Sequence, residues 1–271
     1  MWTEAQVRLN CLKGRIEHEF YEHRKYFDIL LTYIGTDRRI QMSHANYMHR
    51  KNHLMRAFDK RLALVDAPVS SWLGDEQIGR FVKEARQEYE ELIPRMTYIG
   101  ESSLVLSFFL PTTRYLAVYR ALHRQGRTLE DAGRLIFLIA TEEARAVPYV
   151  ARRLMEALWF SRWFRRMAKK RAIKSQQRIY PGNFVLTYVE GDGREFDYGI
   201  DYTECANCKF LQAENAFELA PYACATDKPI SELLGWGLTR PKTIAEGFPT
   251  CSFRFKKGGK TNVPIPSSLK P

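Results

Sequence analysis

Cys205, Cys208, Cys224 and Cys251 fall together in the C-terminal third of the chain, and thiols gathered in a reducing compartment serve metals or chemistry. Cys205 and Cys208 form a C-x2-C pair, and the other two follow at longer gaps. Four thiolates hold tetrahedral zinc and iron–sulfur clusters alike, so these four residues make one candidate metal set. They equally suit a catalytic site in which a thiolate attacks an electron-poor carbon. A buried cysteine also packs as a small hydrophobe, and spacing alone leaves these readings open. Cys11 stands apart in a helical stretch and reads as core or surface filler.

Asp227 lies three residues beyond Cys224, one helical turn if that stretch is helical, where it can act as a base or orient one. Cys224, Asp227 and Cys251 are therefore the candidate catalytic residues, and Arg240 and Arg254 the cations able to clamp a substrate carboxylate. A carboxylate beside a thiol raises the thiol's pKa, so a Cys224 thiolate needs help from an arginine, a helix N-terminus or a metal. Alternatively Asp227 activates water. His18, His23, His44, His49, His53 and His123 all precede this third, so a Cys–His pair would have to draw on the N-terminal half. His49 and His53 share a helix face beside Arg50, Lys51 and Arg56, which reads as solvated surface, and Glu142-Glu143 reads as a solvated helix end. No phosphate-cradling glycine loop or dinucleotide fingerprint is present.

Several elements must position these residues. The chain has 271 residues, 45% hydrophobic and 13% aromatic, enough for a sizeable core. Its longest apolar runs, Leu104–Leu110 and Leu135–Ala140, are far short of a bilayer span. The formal charge is +11, but residues 151–178 alone hold ten Lys or Arg against the single acid Glu156. The segment from Ile179 onward is nearly neutral, which argues against nucleic acid at the cysteine site. With Met1-Trp2-Thr3-Glu4 opening the chain and no secretory pattern after it, a cytoplasmic location is expected.

Residues 1–178 read as a helical domain. Tyr47, Leu54, Met55, Phe58 and Leu62 recur at helical spacing, Asp75 can cap a helix ending near Pro94, Pro111 can start another, and Thr128 with Asp131 forms a capping-box pattern. Residues 151–178 read as one basic amphipathic linker helix, with Met155, Trp159, Trp163 and Met167 at i+4 backed by cations; such a face suits an anionic membrane surface. After Tyr180-Pro181-Gly182 the period changes from 3.6 to 2, marking a domain boundary. Residues 183–190 and 194–203 read as a hairpin about Gly191-Asp192-Gly193, with Phe196, Tyr198, Ile200 and Tyr202 on one face, and further strands are expected near 238–245 and 250–256. Residues 179–257 thus form a cysteine-rich domain, giving an α+β fold with a small antiparallel sheet, and 258–271 read as a flexible tail.

Thr203-Glu204-Cys205, Cys224-Ala225-Thr226-Asp227, Arg240 with Thr243-Ile244-Ala245-Glu246-Gly247, and Cys251-Ser252-Phe253-Arg254 together resemble the L-2-amino-thiazoline-4-carboxylic acid hydrolase family. That family tends to carry an acid where Ser252 stands here, and Cys208 is an addition to its three cysteines. The resemblance implies ring-opening hydrolysis of a 2-aminothiazoline carboxylate to an N-carbamoyl amino thiol. The expected activity is hydrolysis of a small sulfur- or nitrogen-containing cyclic carboxylic acid in a cysteine-lined site. The alternative is a zinc or iron–sulfur protein that senses a ligand or uses its cluster on sulfur compounds.

Overall fold

The computed structural model describes residues 45–100 and 102–270. The first helices are α1 (Ala45–His49), α2 (Lys51–Ala63), α3 (Asp66–Leu73) and α4 (Asp75–Leu92). In α2, Leu54, Met55, Phe58 and Leu62 are buried, as their spacing predicts. A 3-10 turn over Ile93–Arg95 ends this run. The next helix, α5 (Ser103–Arg124), starts well before the expected Pro111, which lies inside it, and Ser102 caps it by accepting the Val105 amide. An internal proline costs about 3 kcal/mol. Here Phe109, Tyr115, Leu116, Ala117, Val118, Ala121 and Leu122 are all buried along the same helix, and that burial outweighs the lost hydrogen bond. Helix α6 (Leu129–Arg145) opens on the full capping box, with Thr128 and Asp131 exchanging bonds of 3.1 Å in both directions.

The basic segment is two helices and not one: α7 (Tyr149–Trp159) and α8 (Arg162–Ser175), with Ser161 accepting the Phe164 amide at 3.1 Å to begin the second. A single helix would keep Trp159 and Trp163 on one face. The break separates them, burying Trp159 while leaving Trp163 at 46% exposure. Trp159 stacks on Trp236 with ring centroids 4.6 Å apart. Helix α8 lies along the first strand, where Lys169 pairs with Glu190 and sits over the Tyr188 ring.

Strands β1 (Val185–Glu190), β2 (Tyr198–Glu204), β3 (Leu238–Thr239) and β4 (Cys251–Phe255) form an antiparallel sheet in the order β1-β2-β4-β3. The second hairpin strand begins later than expected because Asp192 Oδ1 accepts the amides of Arg194 and Glu195 at 2.8 and 2.9 Å, turning that stretch out of the ladder. The strand expected over 238–245 stops at Thr239: the Arg240 amide turns to the Asn262 carbonyl, Pro241 follows, and Thr243 caps a 3-10 turn over Ile244–Glu246. Between the two hairpins run α9 (Ala206–Ala213), α10 (Ala220–Ala225) and α11 (Asp227–Leu234).

Hydrophobic packing crosses the boundary that composition places at 179. Tyr89, Leu116 and Ile136 share one cluster with Ala206, Cys208, Phe210, Leu219 and Ala245, while Trp159, Phe164, Tyr198, Leu238 and Phe255 make a second against the sheet. Beyond residue 257, where composition suggests a loose tail, the Asn262 amide reaches the Leu238 carbonyl at 2.7 Å, Val263 is buried, and the Ser268 hydroxyl meets the Tyr222 hydroxyl at 3.0 Å. No helix among the described residues is long and apolar enough to cross a membrane.

Candidate active site

Antiparallel register sets Tyr202 opposite Cys251, Ile200 opposite Phe253 and Tyr198 opposite Phe255. Side chains alternate along a strand, so these six share one face, and Cys251 and Tyr202 mark its end nearest α9. Cys205 follows β2 directly and occupies the N-cap position of α9, while Cys208 lies in that helix's first turn. Cys224 lies near the end of α10, Asp227 begins α11, and Arg240 follows β3. The connections deliver all of these residues to one place. Cys224 and Cys251 each interact electrostatically with Cys205, Asp227 and Arg240, and the thiols of Cys205 and Cys208 interact with each other.

Arg240 organises this cluster. It is 2% exposed, its Nε lies 3.3 Å from Asp227 Oδ2, and its Nη2 donates to the Cys224 carbonyl at 3.0 Å. The guanidinium also lies over the Phe253 ring. Its Nη1 is buried with no hydrogen-bond partner among the described residues. Cys251 Sγ accepts the Ile244 amide at 3.1 Å, tying the Thr243-capped turn to β4.

Burial lifts the Asp227 carboxyl above its ordinary 3.8, with Arg240 pulling the other way. The Asp227 side chain nevertheless keeps 29% of its surface accessible, so it sits in a recess crowded by protein, not in a sealed core. Burial also pushes the Cys224 thiol well above its usual range; Arg240 opposes this, and Cys205, Asp227 and Cys251 add to it. Contact with Cys208 and burial do the same to Cys205, against the pull of the Cys208 and Asn207 amides. The Cys251 thiol is pushed up to about 11, chiefly by burial. At neutral pH the recess therefore holds neutral thiols around one carboxyl and one guanidinium.

Arg254 is not brought to this recess. It stands opposite Gly199, on the other face of β4 from Cys251, where Nη1 and Nη2 bind Asp201 at 2.6 and 3.2 Å above the Phe196 ring. Ser252 shares that face, opposite Asp201. His49, His53 and His123 are exposed, whereas Cys11, His18, His23 and His44 lie outside the described residues. Glu142 pairs with Arg145 at its helix end, but Glu143 turns inward to Arg61 at 2.5 Å, in a recess also lined by Arg114 and Tyr115. No group of three or more His, Cys, Asp or Glu side chains among the described residues is placed to hold a metal ion.

One residue at the site escaped sequence reasoning. Tyr115 on α5 hydrogen-bonds the Thr226 side chain, next to Asp227, so the helical half forms part of the wall. A tyrosine on a buried helix face looks like any other core residue, and no local pattern marks it. Tyr202 differs, since its period-2 partnership with Cys251 makes it readable.

A family model described as L-2-amino-thiazoline-4-carboxylic acid hydrolase matches residues 114–255. The matched stretch contains Tyr115, Tyr202, Asp227, Arg240 and the four cysteines of the C-terminal third. No curated protein and no solved structure matches the chain.

Proposed function

The chain belongs to the L-2-amino-thiazoline-4-carboxylic acid hydrolase family, and from this premise we propose that it hydrolyses a small sulfur- or nitrogen-containing cyclic carboxylic acid by ring opening, the reaction that turns a 2-aminothiazoline carboxylate into an N-carbamoyl amino thiol. The observation that carries this reading is the buried Arg240–Asp227 pair in a thiol-lined recess, with Arg240 Nη1 unpartnered. A guanidinium with a spare donor suits a substrate carboxylate. The Asp227 carboxyl, its proton affinity raised by burial and restrained by Arg240, suits a general base.

In this mechanism Arg240 holds the substrate carboxylate and Asp227 takes a proton from water as the water oxygen bonds to the amidine-like carbon. The carbon–sulfur bond then breaks, the proton held by Asp227 passes to the departing sulfur, and the second water proton moves from the added oxygen to the ring nitrogen, leaving the carbamoyl group. Cys224 and Cys251, held neutral by burial, line the recess as hydrogen-bonding and polarisable groups. The expected setting is the cytoplasm, where the four described cysteines, all free, remain thiols.

Thiol release from L-2-amino-thiazoline-4-carboxylate, followed with a chromogenic disulfide reagent after rapid removal of the protein, tests the proposal. Asp227→Asn should lower turnover by about 10²–10⁴-fold, the usual range for a positioned general base, and should remove the acid limb of the rate profile. Cys224→Ser should slow turnover without abolishing it; complete loss with the fold intact would transfer the nucleophile's role to Cys224. Full turnover in both variants would sink this assignment.

A further inference from the structure

We propose that Cys205 and Cys208 form a redox-active dithiol that exchanges reversibly with low-molecular-weight disulfides. The motif is Cys205-Ala206-Asn207-Cys208, placed where β2 ends at Glu204 and α9 begins. Residues three apart in the first turn of a helix have the backbone separation a disulfide needs. The two thiols interact directly, and the end of β2 with the first turn of α9 holds their backbones at that spacing.

Two further features suit exchange chemistry. Contact with Cys208 and burial keep the Cys205 thiol protonated at rest, and the Asn207 and Cys208 amides at the start of α9 work against that rise, so they favour the negative charge that develops on the Cys205 sulfur during attack. Access is unequal as well. Cys205 is half-buried, whereas Cys208 is 5% exposed and packed in the core. A disulfide arriving from solvent meets Cys205 first, and Cys208 is left to resolve the intermediate. Cys251 is also 5% exposed, and its sulfur is engaged by the Ile244 amide.

The exchange balances in two steps. Cys205 loses its proton and attacks one sulfur of R–S–S–R, giving a mixed disulfide and expelling a thiolate that is protonated to R–SH. Cys208 then loses its proton and attacks the Cys205 sulfur, closing the Cys205–Cys208 bond and releasing the second R–SH. Two protein thiols are oxidised and one small disulfide is reduced. This inference does not depend on the hydrolysis proposed above, because it concerns the pair itself. It does give the pair a consequence for any reaction in the recess: oxidation removes the Cys205 thiol from the group shared with Cys224, Cys251 and Asp227.

The test needs no substrate. Full-length protein in a Cys11→Ser background is incubated with oxidised glutathione, quenched in acid, alkylated and mapped by peptide mass spectrometry. We expect a Cys205–Cys208 disulfide, with Cys224 and Cys251 alkylated and full reversal by dithiothreitol. Cys208→Ala should stop at a glutathione adduct on Cys205, and Cys205→Ser should take up none at Cys208; circular dichroism verifies that each variant is folded. A glutathione adduct on Cys205 that persists in the Cys208-containing protein, a disulfide from Cys205 to Cys224 or Cys251, or no reaction at all would each overturn the proposal.

Discussion

Replacing Arg240 with methionine isolates the electrostatics of the recess. The guanidinium is 2% exposed and lies 3.3 Å from Asp227, whose side chain is 29% exposed. Removing one partner of a buried ion pair costs about 3–5 kcal/mol. The expected loss is about 3 kcal/mol, the low end, because Asp227 retains contact with solvent and can take up a proton. In a chain of this size that is a fall in Tm of roughly 6–12 °C. Burial already lifts the Asp227 carboxyl and Arg240 restrains it, so without the guanidinium it rises further. Below pH 3.8, the ordinary value for this carboxyl, both the folded and the unfolded chain carry the proton. As pH climbs from there towards the folded value, the unfolded chain releases the proton while the folded variant keeps it, and stability falls. The deficit of Arg240→Met relative to the unsubstituted protein should therefore be larger at pH 8 than at pH 5 in urea unfolding. Adding Asp227→Asn should recover most of it, since a neutral amide needs no cation. Equal deficits at the two pH values, or a double variant no more stable than Arg240→Met, would refute the coupling.

Two packing predictions address the framework. Trp159→Ala should cost about 3–5 kcal/mol in chemical denaturation, because Trp159 stacks on Trp236 and also contacts Phe164 and Phe255; a cost under 1 kcal/mol would mean that α7 does not depend on this anchor for its docking. Gly133→Ala should destabilise despite a gain of about 1 kcal/mol in helix propensity, because its Cβ would lie 2.0 Å from the Tyr222 ring, and thermal unfolding at a higher temperature than the parent protein would contradict that packing.

Local rules of chemistry were legible wherever neighbours in sequence satisfy one another. Thr128 and Asp131 cap each other across three residues, and alternation in β2 and β4 puts Tyr202 and Cys251 on the same face before any pairing is known. Positions decided by distant partners were not. Pro111 is tolerated because α5 is buried by other helices, and Trp159 leaves the Trp163 row because Trp236 offers a stacking surface. Arg240 ends β3 because Asn262 takes its amide. The convergence of Cys205, Cys224, Asp227, Arg240 and Cys251, expected from their gathering late in the chain, is executed by a strand order that no short pattern encodes. The diversion of Arg254 is a matter of parity: it is an odd number of positions from Cys251, and Asp201 waits on the opposite face.

That β4 joins β2 across the intervening α9, α10 and α11 has a consequence for how the protein acquires its shape. The hairpin of β1 and β2 closes locally, but the β2–β4 ladder must first overcome the closure entropy of the long segment between them. Until it does, Cys251 and Arg240 are far from Cys205 and Asp227, and the thiols are held apart on an incomplete chain. Refolding in an oxidising buffer would then let sulfurs pair by chance encounter before the sheet has chosen their neighbours. The recess exists only once that ladder has closed, and its geometry is inherited from it.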